Sequence, residues 1–274
     1  MRSSYRASTT PDQAMSNTGF RIVRNAEENT NSQVISNTNQ NNVENTSGKM
    51  LIQNLNNEYW KQITIEHLLE QTSGINITDD ANWYEWRASN NWIQYIFEHD
   101  VTARPGTVFR YATTNAHLLS SILQKATGMT AYEFGKQYLF EPLQIDTVEC
   151  DTDAQGISDG GNGFRMNIYD MLKIGQLYLN KGVWEGEQIV STKWVEDSTS
   201  LQFERSTGSA DYVYSWWVRT FGEERHSAYF AQGHAGQYIF VVLDLELIIV
   251  FTSNYTGSSS IYWQFVNDIV DACY

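Results

Sequence analysis

Apolar positions recur at three- and four-residue spacing through the first half of the patterned region. They then give way to short runs of β-branched and aromatic residues. Ile63-Thr64-Ile65-Glu66-His67-Leu68-Leu69 predicts a helix with Thr64 as N-cap and an acid in its first turn, ending at Ser73-Gly74. A second helix is predicted from about Ala116 to Thr127, with Leu118, Leu119, Ile122, Leu123 and Ala126 on one face and Gly128 as its stop. A third is expected over Ala131–Leu139, halted by Glu141-Pro142. A fourth is expected over Ile168–Leu179, facing inward with Ile168, Met171, Leu172, Gly175, Tyr178 and Leu179. Four runs, Tyr212–Thr220, Ser227–Ala231, Gln237–Leu243 and Leu247–Ser253, then read as an antiparallel meander. A last helix near Ile261–Cys273 places Ile261, Tyr262, Phe265, Val266, Ile269, Val270 and Cys273 on one side. Helices, then strands, then a covering helix predict an α+β arrangement.

The pattern fails upstream. Residues 25–49 contain eight Asn, no aromatic and four apolar residues. Such a tract buries too little surface to offset backbone ordering of about 1–2 kcal/mol per residue. The expected division is a short polar segment over 1–24, a disordered Asn-rich linker over 25–50 and a globular part over 51–274. The net charge of -14 adds a functional constraint, because a chain this acidic repels a phosphate backbone. No nucleic-acid partner is expected. No apolar run approaches the ~20 residues of a membrane span, and Met-Arg-Ser-Ser-Tyr opens no signal peptide. The compartment stays open. Cys150 and Cys273 are too few for a disulfide framework and are expected as buried thiols rather than a bridge.

Little in the composition points to a cofactor. The five histidines are scattered without i, i+4 pairing, there is no Cys pair, and no glycine-rich loop joins a strand to a helix, so neither metal nor cofactor is expected. Two positions carry candidate chemistry. Tyr111 stands just before the second helix, where the partial positive charge of a helix N-terminus draws a phenol toward the phenolate that a general base requires. The plainer reading is a loop tyrosine hydrogen-bonded to backbone. His234 lies in Gly233-His234-Ala235-Gly236-Gln237, where small neighbours let a ligand approach a strand edge. The plainer reading there is a tight turn with an exposed imidazole. Trp83, Trp86 and Trp92 would suit a binding cleft or a packed core.

Ile63–Gly74 resembles the "ITIxHLLxxTSG" signature of the β-lactamase-related serine hydrolases. That family takes in class C β-lactamases, DD-peptidases, esterases and 6-aminohexanoate-dimer hydrolases. Pro105–Tyr111 is similar to its "PGxxFxY", and Phe140-Glu141-Pro142-Leu143 to its "FxPLG" with Gln144 in place of Gly. Gly160–Arg165 with Asp170–Leu179 is similar to "GGxGLxxxxxDMxKxGxLYL", and Gly233–Gln237 to the third catalytic motif. The resemblance implies a β-lactamase/transpeptidase-like antiparallel sheet flanked by helices, with a helical subdomain. It implies acyl transfer on a small amide, ester or peptide. Tyr111 takes the place of the second-motif tyrosine and His234 the first residue of the third motif. Thr113, where the family usually has Asn, Gly236 and Gln237 take substrate-binding places.

The family's nucleophile motif is Ser-x-x-Lys, and no Ser of the 274 residues has Lys three places on. Ser73 is followed at that spacing by Asn76. The expectation is therefore a hydrolase domain missing the N-terminal third of its fold and inactive as this chain. The alternatives are a binding module that reuses the cleft, or a fragment complemented by another chain. Arg2–Arg6 and Ser16–Arg24, with Gly19-Phe20-Arg21 near the end, resemble the close of formylglycine-generating domains, and residues 1–24 are expected to be a remnant of one.

Overall fold

The computed structural model describes residues 4–5, 57–200 and 211–273. The Asn-rich tract, and all of the 1–24 segment except Ser4–Tyr5, lie outside the described residues. The chain divides into two compact units. One comprises Met1–Gln13, Glu133–Asp151 and Asn162–Tyr274, the other Ala14–Tyr132 and Thr152–Gly161.

The first unit is built on a five-stranded antiparallel sheet. Its strands are β6 (Asp211–Val213), β7 (Trp216–Phe221), β8 (His226–Gly233), β9 (Gln237–Val242) and β10 (Leu247–Phe251), in the order β10-β9-β8-β7-β6. Every residue of β9 is buried, which is why Gln-Tyr-Ile-Phe-Val-Val does not alternate: both faces are covered. On one face Phe230, Tyr238, Phe240 and Ile249 meet Tyr262, Val266 and Val270 of helix α8 (Ser260–Asp271). Phe230 stacks on Phe240 at 4.9 Å and Phe240 on Tyr238 at 5.2 Å. Helix α6 (Ile168–Leu179) packs against β9 and β10. A Cβ at its Gly175 would lie 2.7 Å from Ile248 and 3.0 Å from Ile239, so glycine is what permits that approach. The short strands β1 (Ser4–Tyr5), β2 (Glu149–Cys150) and β3 (Phe164–Arg165) form a separate three-stranded sheet, and β4 (Val183–Trp184) pairs with β5 (Glu187–Gln188).

The second unit is helical. It holds α1 (Ile65–Leu69), α2 (Asp79–Ala88), α3 (Trp92–Phe97) and α4 (Thr113–Thr127) around Trp60, Leu68, Ile75, Ile77, Trp86, Trp92, Ile96 and Val101. Helix α5 (Ala131–Gly135) runs into a π-helical turn over Lys136–Phe140. No helix among the described residues is long and apolar enough to cross a membrane.

The α+β expectation holds, and α6 has the expected bounds. Several details differ. Helix α1 stops at Leu69, because Gln71 already adopts φ 59°. Gly74, at φ 78°, instead brings its backbone against residue 103, and a Cβ there would sit 2.1 Å from the Ala103 carbonyl oxygen. Tyr212–Thr220 is two strands, broken at Tyr214 and Ser215, both with positive φ. Helices α2, α3 and α7 (Thr192–Thr199) carry no clear apolar stripe and were not expected. Each is fixed by a side-chain cap, from Thr78, Asn91 and Ser191. Trp86 and Trp92 are buried core residues rather than cleft residues. On α8, Tyr262, Val266 and Val270 are buried against the sheet with Trp263 half-buried beside them, while Ile261, Phe265 and Ile269 are exposed. On α6, Ile168 and Leu172 are exposed while Met171, Ile174 and Tyr178 are buried. Both cysteines are free thiols, but Cys273 is exposed and Cys150 only half-buried.

Candidate functional site

The segment that carries Tyr111 is held from both sides by one buried residue. Gln71 accepts the Arg110 N–H on its backbone carbonyl at 2.8 Å. Its amide oxygen accepts the Ala112 N–H at 3.0 Å and Asn115 Nδ2 at 2.7 Å. Tyr111 is half-buried between these anchors, two residues before α4 begins. That helix starts three residues earlier than its apolar pattern predicts. Thr113, Thr114 and Asn115 are poor helix formers, and Ala112 offers no capping side chain. Asp79 of α2 caps the helix from outside, accepting Thr113 N–H at 2.6 Å and Thr113 Oγ1 at 2.5 Å. Thr113 is therefore buried with its hydroxyl committed to Asp79, the position of a helix-start residue.

Ser73 belongs to the same network. It is buried, donates its hydroxyl hydrogen to Asn115 Oδ1 at 2.9 Å and accepts Ile75 N–H at 3.4 Å. A hydroxyl held in this way, in a core that keeps substrate out, is a structural group. The three residues Gln71, Ser73 and Asn115 were not legible as a unit, because their spacing across 44 positions shows only once the chain folds.

His67 fixes the start of α1. It completes a capping box, its N–H donating to Thr64 Oγ1 and its Nδ1 accepting Thr64 N–H, both at 3.2 Å. Burial lowers its pKa, in keeping with a neutral ring that accepts at Nδ1.

In the sheet unit, His234 sits exposed at the tip of the β8–β9 hairpin, in the three-residue turn 234–236. Ala235 and Gly236 take φ 63° and 96°. The residues after β10 clamp the turn. Ser253 N–H donates to the Gly236 carbonyl at 3.1 Å and Tyr255 N–H to the Ala235 carbonyl at 2.9 Å. The Ser253 hydroxyl also reaches the Ala235 carbonyl at 2.9 Å and hydrogen-bonds Tyr262 Oη of α8. A Cβ on Gly236 would lie 2.0 Å from Tyr262 Oη, so this glycine has a backbone reason for its place. Gln237 is buried and donates Nε2 to the Ser253 carbonyl at 2.6 Å. Of the five residues singled out in the sequence, Tyr111 and Thr113 thus lie in the helical unit and His234, Gly236 and Gln237 in the sheet unit. Thr113, Gly236 and Gln237 have evident structural work, while the His234 imidazole faces solvent.

A family model described as Beta-lactamase matches residues 23–262. A curated relative, 6-aminohexanoate-dimer hydrolase from Paenarthrobacter ureafaciens, is 25% identical over 197 residues, 67% of this chain and 49% of its own length. The chain thus spans about half the length of that relative. A solved structure from Bacillus anthracis, assigned as a 6-aminohexanoate-dimer hydrolase, superposes with a TM-score of 0.69 at 23% identity, over 96% of this chain and 71% of that one. A penicillin-binding protein from Bacillus halodurans superposes with a TM-score of 0.58 at 14% identity, over 76% and 72%. The fold is β-lactamase/transpeptidase-like. The proposed formylglycine-generating remnant finds no support in these relatives.

Proposed function

Because this chain belongs to the Beta-lactamase family, we propose that it is an acyl-transfer hydrolase domain for small amide, ester or peptide substrates. In this reading Tyr111 supplies the second-motif phenol and His234 the first residue of the third motif. The Tyr111 phenol is the hydrogen-bonding group that this reading offers to a bound carbonyl, two residues before the 15-residue helix α4. The observation that carries the reading is the placement of Tyr111. It is anchored on both sides by Gln71 at the start of α4, in the register of the family's second motif.

The 274 residues contain no Ser-x-x-Lys, and Ser73 is locked away in the core. Nucleophilic catalysis needs a hydroxyl and a base within hydrogen-bond reach. By themselves these residues bind substrate without forming a covalent intermediate. The test is binding of the linear dimer of 6-aminohexanoate and of a penicillin, measured by ligand-observed NMR on the wild type, Tyr111→Phe and His234→Ala. The expected result is reversible binding, weakened by each substitution, with no turnover of a chromogenic ester. Binding left unchanged by both substitutions sinks the assignment of these two residues.

A further inference from the structure

Helix α4 buries a polar face. Its buried residues are Thr113, Thr114, Asn115, His117, Leu118 and Ser120, whereas the apolar stripe that marks the helix in the sequence is largely half-buried. At the centre of that face is His117, with no exposed surface. Its Nε2 lies 3.1 Å from Asp153 Oδ2. Asp153 is itself buried and accepts the N–H groups of Gln155 and Ile157 on Oδ1, each at 2.9 Å. A carboxylate that accepts this many hydrogen bonds requires the imidazole to donate, which places the proton on Nε2 and the lone pair on Nδ1. Nδ1 is buried and has no hydrogen-bond partner among the described residues. The rings of Trp86 and Trp92 wall the imidazole at 5.7 and 5.0 Å.

A second buried pair adjoins the first. Arg87 of α2 lies over the Trp92 ring at 4.1 Å and pairs with Asp159, which is fully buried and accepts Gly161 N–H at 3.1 Å. Between the two pairs, the 152–161 loop is pressed onto the first turns of α4. A Cβ on Gly160 would lie 2.3 Å from the Ala116 carbonyl oxygen, and one on Gly161 2.1 Å from Thr113 Cγ2. Ser120 Oγ donates to the Ser158 carbonyl at 2.7 Å. The loop, α4 and the Tyr111 segment are therefore one packed block, with the His117–Asp153 bond in its middle.

We propose that neutral His117 is a positioning residue for Tyr111: bonded to Asp153, it latches the 152–161 loop onto α4, and taking up a proton releases the latch. The inference rests on the proposed role of Tyr111 only for its consequence; the latch stands on geometry. A second proton would have to enter at Nδ1, against indole rings and without an acceptor. The charged groups that face the ring are Asp153 and Asp159 from the loop and Arg87 from α2. Burial outweighs the attraction of the two carboxylates and lowers the imidazole's pKa, and Arg87 adds to the lowering. The sign follows. A group whose pKa falls on folding stabilises the closed state above its ordinary value near 6.5 and loses that contribution as pH drops through the lowered value.

The experiment is hydrogen exchange of the full chain from pH 7.5 to 5, corrected for the intrinsic pH dependence. It is joined to NMR of the His117 imidazole and of a ¹³Cζ-tyrosine label at Tyr111 assigned with Tyr111→Phe. In the wild type, opening of residues 111–120 and 152–161 should rise together, about tenfold per pH unit once the released imidazole is protonated and the latched one is not. Exchange broadening of the Tyr111 resonance should grow in the same interval. His117→Gln keeps a neutral donor to Asp153 and should abolish both effects. A flat wild-type profile, or the same rise in His117→Gln, overturns the latch. If the segments open while the Tyr111 resonance stays sharp, the positioning claim falls. Should His117→Gln fail to fold, the wild-type imidazole still decides: the latched ring must stay neutral through the interval in which exchange rises, and a ring that titrates at its ordinary value near 6.5 overturns the proposal. None of these readouts uses a ligand, so failure of the substrate-binding test leaves them unaffected.

Discussion

At the residue scale, side chains that look reactive in the sequence separate into those whose polar atoms are committed and those left facing solvent. Ser73 and Thr113 each have a named partner for the hydroxyl, whereas His234 stands exposed at a hairpin tip. Gly236 tests how tightly that tip is specified. Alanine there would need φ 96° and would place a methyl group 2.0 Å from Tyr262 Oη and 2.2 Å from Ser253 Oγ. Gly236→Ala is expected to cost at least ~1–3 kcal/mol from backbone strain alone, read as a lowered denaturation midpoint with an unchanged slope. Gly156→Ala is the control, since its φ is 78° but no atom lies within 4 Å of the added methyl. If the two variants are equally destabilised, the clamp from Ser253 and Tyr262 does not constrain the turn.

At the element scale, the start of α4 is set by another helix. Asp79 accepts both the N–H and the hydroxyl of Thr113, a cap delivered across 34 residues. Asp79→Ala should lower stability by ~1–2 kcal/mol, the range of a lost N-cap. It should raise amide exchange in residues 113–116 above that of the rest of the helix. Uniform exchange along α4 would show that its start holds without Asp79. The same contrast explains what the sequence made legible. Helix α6 was readable from the spacing of Met171, Gly175 and Tyr178, and β9 because a continuous apolar run marks a strand covered on both faces. Helices α2 and α7 are short and mostly polar, so periodicity is silent there, although Thr78-Asp79-Asp80 and Ser191-Thr192 carry capping chemistry. The buried face of α4 was hidden for a related reason. Thr113, Asn115, His117 and Ser120 find partners in Asp79, Gln71, Asp153 and Ser158, which lie 34 to 44 positions away. The second and third motifs were readable through family resemblance, whereas the polar network around Tyr111 required coordinates.

At the scale of the whole molecule, the chain divides into a sheet unit and a helical unit, belongs to the Beta-lactamase family and has no Ser-x-x-Lys among its 274 residues. Were any serine activated, an acyl or phosphonyl group would become attached and persist. Removing both nucleophile and base from a serine hydrolase leaves a rate on the order of 10³ over water, too slow to accumulate an intermediate. The decisive measurement is intact-mass spectrometry of the chain after incubation with a fluorescent penicillin and, separately, with an active-site-directed phosphonate. The account predicts the mass of the unmodified chain in both cases, with reversible binding detected independently. A stoichiometric adduct on any serine would contradict it and place an active nucleophile outside the family's motif.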